Sequence, residues 1–382
     1  MIVGRVIDLN STIVCGSDLR ILLNSDHLSY GEVHSTLKEK GVFVGNSDKS
    51  ITVPLLSSTL LTPDNFTRLI EASVNRESQP KVKVAGLALV GNDVDWIAVL
   101  KKDLFDASFN PTRDDSGIVF TRNPSLVVRG ADRVQISYQI CRQDISKDWI
   151  ERELTFDGQV VLEKIDDKLK LDFISTHSSK ETDVINKKLT SRVSKILHNA
   201  GVATSDEAVS VSFGSFDNEE RVRYFKRLTA GHGSCLSAGS VGDIEICLDP
   251  DGPALPDDLE VSWMKQTVRR LNVDGERLND IFLINDEKYY KHYYITRMNV
   301  TFPFNVTANS GHCHVSFFFS GSRIIGEKSE LTFACLRWSY NDAPNADARK
   351  EINFTVQHAL RSMIEEKFEL TLSERMPAAP LA

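Results

Sequence analysis

The chain has 382 residues, 41% of them hydrophobic and 26% charged, with a formal charge of -8. That is long enough for two or three cored domains and too apolar for a disordered chain. The acidic balance excludes a generally basic nucleic-acid coat, so any contact with phosphate must come from a local patch working against the overall field.

In chain order, the first expected element is a hairpin, Ile2–Leu9 and Thr12–Cys15 around Asn10-Ser11. The opening run is broken by Arg5 and Asp8 and lacks a secretory cleavage pattern, and no apolar run approaches the ~18 residues of a membrane span. Six scattered cysteines (Cys15, Cys141, Cys235, Cys247, Cys313, Cys335) with no CxxC fit reduced thiols. A cytoplasmic protein without a membrane partner is the expectation.

Ser29, with Glu32 at capping-box spacing, predicts a helix that stops at Gly41. A second helix is expected from Lys49 to Leu61, and Thr62-Pro63-Asp64 opens a third with Phe66, Leu69 and Ile70 on one face. The polar run Ser73–Lys81 reads as a linker. From Val82 to Ser175 the segments Gly86–Val90, Trp96–Leu100, Gly117–Phe120, Ser125–Arg129 and Val134–Cys141 have strand composition. Asp157-Gly158 and Asp166-Asp167 read as turns separating three further strands of an antiparallel meander.

Ser178-Ser179-Lys180-Glu181 opens a helix with Val184, Leu189, Val193, Ile196 and Leu197 on its apolar face, ending near Gly201. Beyond it the pattern predicts a strand at Ala208–Phe213, a helix at Asn218–Leu228, a strand at Asp243–Leu248 and a helix at Asp257–Leu271. Three long strands follow, Lys288–Val306, His312–Ser320 and Glu330–Tyr340. A last helix, Ala346–Phe368, carries Ile352, Val356, Leu360, Met363 and Ile364 as a stripe that closes the sheet. The predicted class is α+β: a helical module with a hairpin (1–78), an antiparallel β-rich domain (82–178) and an α+β domain (179–382).

Within the first module, Leu28, Glu32, Val33, Leu37, Lys38, Gly41, Val42, Gly45, Lys49 and Leu55-Leu56 stand near the order Leu, Glu-Leu, Leu-Lys, Gly-Leu, Gly, Lys, Leu. On these residues the segment resembles a SAP-type helix-extension-helix motif, a short DNA-binding element. The resemblance covers about a tenth of the chain, with the apolar Val42-Phe43-Val44 and the extra Asn46-Ser47-Asp48 as departures. It implies backbone contact without base reading. Lys38, Lys40 and Lys49 would meet phosphates, and the amides after Gly45 and at the next helix start would donate to phosphate oxygens. The same leucines would equally pack a module that docks on protein, and Glu39, Asp48 and Asp64 dilute its charge.

A second candidate surface is Lys288-Tyr-Tyr-Lys-His-Tyr-Tyr294, followed by Arg297. As a strand it would place Lys288, Tyr290, His292 and Tyr294 on one face and Tyr289, Lys291 and Tyr293 on the other, so that tyrosines stack bases while cations hold phosphate. Tyrosines serving as plain cross-strand partners explain the same pattern. Arg221, Arg223, Lys226 and Arg227 share one short helix and read as a solvated face.

Candidate chemistry is thinner. Asp243 and Glu245 alternate with isoleucines along one strand and could hold Mg²⁺ for phosphodiester cleavage, although a half-exposed strand accounts for the alternation. Asp-Glu/Asp-Lys triplets occur at Asp166-Asp167-Lys168 and at Asp286-Glu287-Lys288, the latter preceded by Asp280. His312 and His314, with His292 or Cys335, have zinc-ligand chemistry but no second paired motif. His232 with Ser234 and Cys235 lacks a GxSxG elbow, and neither a Walker loop nor a Rossmann fingerprint is present. No cofactor and no metal are expected.

The resulting expectation is a non-enzymatic, nucleic-acid-associated adaptor. It would contact DNA through Lys38, Lys40, Gly45 and Lys49, with Lys288, Tyr290, Lys291 and Arg297 as a second set, while its α+β body binds a protein partner or a second copy. The alternatives are a protein-interaction subunit of a larger bacterial-type assembly, or a metal-dependent phosphodiesterase using Asp243 and Glu245 or Asp280, Asp286 and Lys288.

Overall fold

Residues 15–24, 28–69, 79–91, 95–105, 109, 111–112, 117–143, 153–165, 169–256, 258, 268–307, 309–319 and 325–375 are described by a computed structural model. They form two units, residues 1–80, 95–161 and 175–200 in the first and 81–94, 162–174 and 201–382 in the second. The expected hairpin before Cys15, residues 73–78 of the Ser73–Lys81 linker and the Asp166-Asp167 turn lie outside the described residues.

Among the described residues the first unit begins with four helices, α1 (Gly16–Asn24), α2 (Tyr30–Glu39), α3 (Lys49–Ser57) and α4 (63–69). Helix α1 is not anticipated by the sequence reading, although Leu19, Leu22 and Leu23 have helical spacing and are buried. Helix α3 ends at Ser57, four residues short of the expected Leu61. Further along, Trp96–Leu100 is not a strand. It opens the helix α5 (Trp96–Asp103), because Asp95 accepts the Ala98 amide at 2.9 Å as N-cap while Trp96, Ile97, Leu100 and Leu104 turn one buried side inward.

The sheet of this unit contains β2 (Ile118–Val128), β3 (Arg133–Gln143) and the first part of β4 (Glu153–Ile165). Strand β3 alternates with period two: Val134, Ile136, Tyr138 and Ile140 are fully buried, whereas Arg133, Gln135, Ser137 and Gln139 are partly exposed. The buried side faces α6 (Lys180–Asn199), where the Tyr138 hydroxyl donates to Thr182 O at 2.9 Å and Asn186 Oδ1 at 2.8 Å. Asp157-Gly158 is not a turn, since β4 runs straight through it. Glycine is needed there for space: a Cβ at Gly158 would stand 2.2 Å from Tyr138 Cζ.

The second unit carries β1 (Lys81–Ala88), the remainder of β4, most of β5 (Lys170–His177), the short β6 (Val209–Ser210), α7 (Asn218–Arg227), β7 (Ser240–Leu248) and β8 (Arg270–Asp274). It continues with α8 (Phe282–Asn285), β9 (Tyr293–Val306), β10 (Asn309–Phe319), β11 (Leu331–Tyr340) and α9 (Ala346–Ser373). Leu271 belongs to β8, so the predicted helix does not reach it, and most of Asp257–Leu271 lies outside the described residues. Helix α9 buries Ile352, Val356, Leu360, Met363 and Ile364, as its stripe predicts, and Ile364 O accepts the Tyr224 hydroxyl of α7 at 3.1 Å. Among the described residues eleven strands make one antiparallel sheet in the order β2-β3-β4-β5-β1-β11-β10-β9-β7-β8, with β6 on β1, which confirms the α+β class.

Candidate functional site

The N-terminal helices supply the best-defined candidate site. Ser29 caps α2 in a reciprocal box, its hydroxyl accepting Glu32 N at 3.2 Å while Glu32 Oε2 accepts Ser29 N at 2.6 Å. The helix stops at Gly41, whose φ of 75° lies in the left-handed region that glycine tolerates. The chain then extends. Val42 and Val44 pack on the helical core, and Phe43 between them points outward, 79% exposed. His34 Nε2 lies 3.1 Å from Val44 O and ties this extension to α2. Asp48 then caps α3, accepting Ser50 N at 2.8 Å.

The core beneath is a leucine cluster that includes Leu22, Leu23, Leu37, Val53 and Leu56. Thr52, Val53 and Leu56 face it from α3, and Ile51 and Leu55, one turn apart on another side, remain exposed. Tyr30, Phe43 and Leu60 are also exposed, Leu60 at 89%. Five large apolar side chains therefore face solvent from a module of about fifty residues. Leu55 counts in the resemblance to the helix-extension-helix motif and Phe43 stands among its departures, and the sequence reading assigns the other three no role. Their signal was the spacing of Ile51 and Leu55, which does not fit the stripe made by Val53 and Leu56.

The cations of this module are modestly placed. Lys38 is exposed, Lys40 and Lys49 are half-buried, and the Lys49 ammonium stands 5.8 Å from the Tyr30 ring centroid. Residues 28–69 hold four basic side chains (Lys38, Lys40, Lys49, Arg68) against four acidic ones (Glu32, Glu39, Asp48, Asp64), which cancel. The Arg68 guanidinium, with help from the Asn65 amide, holds the Glu39 carboxyl below its usual range. Bonding from Ser50 likewise holds Asp48 low, so a carboxylate already sits on the first turn of α3, where an incoming phosphate would bind. Gly45 is exposed with open space around its α-carbon and no positive φ.

The second set is not brought together. Residues 287–292 form a 3₁₀ helix instead of a strand, so the expected two-faced alternation is absent. Tyr290 is 1% exposed and its hydroxyl donates to Ile284 O, which removes it as a base-stacking residue. Tyr289 and Tyr293 are fully buried, their hydroxyls donating to Asp258 Oδ2 and Leu283 O. Lys288 is held by Asp286 at 3.1 Å and Asp258 at 3.2 Å, and its pKa is raised first by Tyr289 and then by these two carboxylates. Lys291 is exposed on the 3₁₀ turn, and Arg297 is exposed on β9, opposite Glu245 of β7.

The candidate chemical groups have structural occupations. Glu245 pairs with Arg270 at 3.2 Å. Asp243 accepts Asn299 Nδ2 at 2.8 Å, and burial followed by the nearby Asp274 carboxylate raises its pKa. Asp286 caps the 3₁₀ helix at the Lys288 amide, 3.2 Å away. The backbone of Asp280 closes the 278–280 turn, and its side chain is not among those described. His314 Nδ1 meets Thr301 Oγ1 at 2.9 Å, whereas His292 Nδ1 meets Pro253 O at 2.8 Å, so these imidazoles serve different local networks. His232 pairs with Glu366 at 3.1 Å. Among the described residues no group of three or more His, Cys, Asp or Glu is arranged to hold a metal, and no helix is long and apolar enough to cross a membrane.

Arg221, read as part of a solvated face, is instead 3% exposed. It donates to Phe213 O at 2.9 Å, Phe216 O at 2.7 Å and Asn218 Oδ1 at 2.8 Å, and burial lowers its pKa to about 10.

No curated protein matches the chain. A protein-family model does match part of it: residues 17–79, the stretch that contains nearly all of α1 and the whole of α2, α3 and α4, are similar to the GAPS4b protein N-terminal domain.

Proposed function

We propose that this protein is a non-enzymatic adaptor subunit whose N-terminal helical module docks on a partner protein. One observation carries the reading: Tyr30, Phe43, Ile51, Leu55 and Leu60 are exposed on a module whose charges cancel. Burying such side chains against a partner stabilises a complex, since each fully buried aromatic or aliphatic group contributes roughly 1.5–3 kcal/mol. A polyanion would instead need surplus positive charge, and the capping Asp48 works against it. The occupant that fits is an apolar helix or groove of another chain, ringed by polar groups. The engagement of Glu245 by Arg270 and of Asp286 by Lys288 supports a binding role over a metal-dependent phosphodiesterase.

The test is co-expression with the products of the flanking genes, followed by size-exclusion chromatography. Phe43→Asp combined with Leu55→Asp should abolish a co-eluting complex, while Lys38→Glu, Lys40→Glu and Lys49→Glu together should leave it intact. The reverse pattern would sink the docking reading and favour DNA contact by the lysines. If the apolar pair of substitutions only converts an oligomer of this chain to a monomer, the occupant is a second copy.

A further inference from the structure

We propose that the outward face of the first unit's sheet binds the phosphodiester backbone of a nucleic acid without reading its bases. This goes beyond the docking module, does not rest on it, and uses other residues. A cavity of about 650 Å³ lies on this face. Its lining includes Arg122 of β2 and Arg129 just after it, Gln135 and Ser137 of β3, Gln159 of β4 and Thr176 of β5, and only Pro80 and Gly158 in it lack a polar side chain. Pockets for small organic ligands are mainly apolar and aromatic, and this one is neither. Arginine, glutamine, serine and threonine are the side chains that contact phosphate and sugar oxygens.

The geometry favours a polymer. Arg122 on β2 and Arg129, the residue after its end, are seven residues apart, at most about 23 Å at 3.3 Å per residue, so the guanidinium groups mark the two ends of a trough floored by amides and hydroxyls. Arg129 donates through Nε to Gln135 Oε1 at 3.0 Å, which steadies the guanidinium while leaving its terminal nitrogens for a ligand. Arg122 pairs with Asp157 at 3.1 Å, but both side chains are more than half exposed, and an ion pair so open to water exchanges readily for a phosphate. Among the lining residues there is no Phe, Tyr or Trp, and the one ring, His177, is 5% exposed, so none offers an open face for a base to stack on.

The experiment is fluorescence anisotropy of the full chain against a labelled single-stranded 20-mer, the matching duplex and an RNA of the same sequence, at 50 and 200 mM salt. Two phosphate contacts predict an affinity that falls by about tenfold over that range. Arg122→Gln with Arg129→Gln should weaken binding by about tenfold and flatten the salt dependence. Asp157→Asn should tighten binding by roughly threefold, because it removes the carboxylate that competes for Arg122. Opposite signs at neighbouring exposed positions are not the mark of a misfolded sheet. The proposal is overturned by equal binding of all three proteins, by no binding at 50 mM salt, or by competition from inorganic phosphate or a mononucleotide at the oligomer's own concentration. Loss of oligomer binding in the Phe43→Asp, Leu55→Asp variant with no change in the arginine variant would also overturn it.

Discussion

Residues 42–44 carry one phenyl ring and residues 288–294 carry four tyrosines, and the fold treats these rings in opposite ways. In the first, Val42 and Val44 turn to the core and Phe43 is left 79% exposed. In the second, Tyr289, Tyr290 and Tyr293 are sealed in, each hydroxyl donating to a carbonyl or carboxylate. Composition alone separates them poorly. The difference lies in the local backbone: an extended segment puts alternate side chains on opposite faces, whereas Tyr289 and Tyr290 on a 3₁₀ turn and Tyr293 at the start of β9 are all packed inward. A tyrosine cluster therefore signals a binding surface only where its hydroxyls lack internal partners.

The sharpest way to break this contrast is truncation at matched positions. Tyr293→Ala should destabilise the second unit by about 3–5 kcal/mol, because a fully buried ring leaves a cavity. Phe43→Ala should change stability by no more than about 0.5 kcal/mol, while still weakening the proposed complex. Urea denaturation of the two variants checks both. A Phe43→Ala loss above about 2 kcal/mol would mean that the ring is covered in the folded chain and is no docking residue.

A finer measurement concerns the hydroxyls. Tyr290→Phe keeps the ring but leaves Ile284 O without its donor, which should cost about 1–3 kcal/mol. If denaturation shows no change, the ring alone accounts for burial, and hydroxyl partners are not what commits this stretch to the core.

Much of the fold was legible. Capping residues marked α2 and α6, and the strand composition of Val134–Cys141 and the stripe ending at Ile364 announced the sheet and its closing helix. The failures have local physical reasons. Trp96–Leu100 has strand composition, but the Asp95 cap and the buried stripe select a helix. Asp157-Gly158 has turn composition, yet the glycine leaves room for the ring of Tyr138, 20 residues earlier in the chain, a requirement visible only once β3 lies beside β4. The site was less legible than the fold. Phe43, Ile51 and Leu55 are ordinary apolar residues in a string, and their exposure is a property of the assembled module. The trough between Arg122 and Arg129 unites four strands and has no motif at all.

The smallest expected effect tests how the module is held together while its outer face stays bare. Glu39 bridges from the end of α2 to Arg68 and Asn65 of α4, and Arg68 is the main reason its pKa is lowered. A depressed folded-state pKa means that the stabilisation is complete above the unfolded carboxyl's value of about 4.3 and is lost as pH falls through the lower folded value. Asp48 acts in the same direction through its cap on Ser50, which lowers its pKa. Amide exchange within residues 28–69 should thus be flat from neutral pH to about 5 once intrinsic rates are removed, and protection should weaken below about 4. Arg68→Ala should remove the Glu39 part of that acid dependence and leave the Asp48 part, whereas Asp48→Asn should do the converse. An acid profile unchanged in both variants would show that the helices are held by the leucine core alone, and that the charged residues of this module do no more than balance one another.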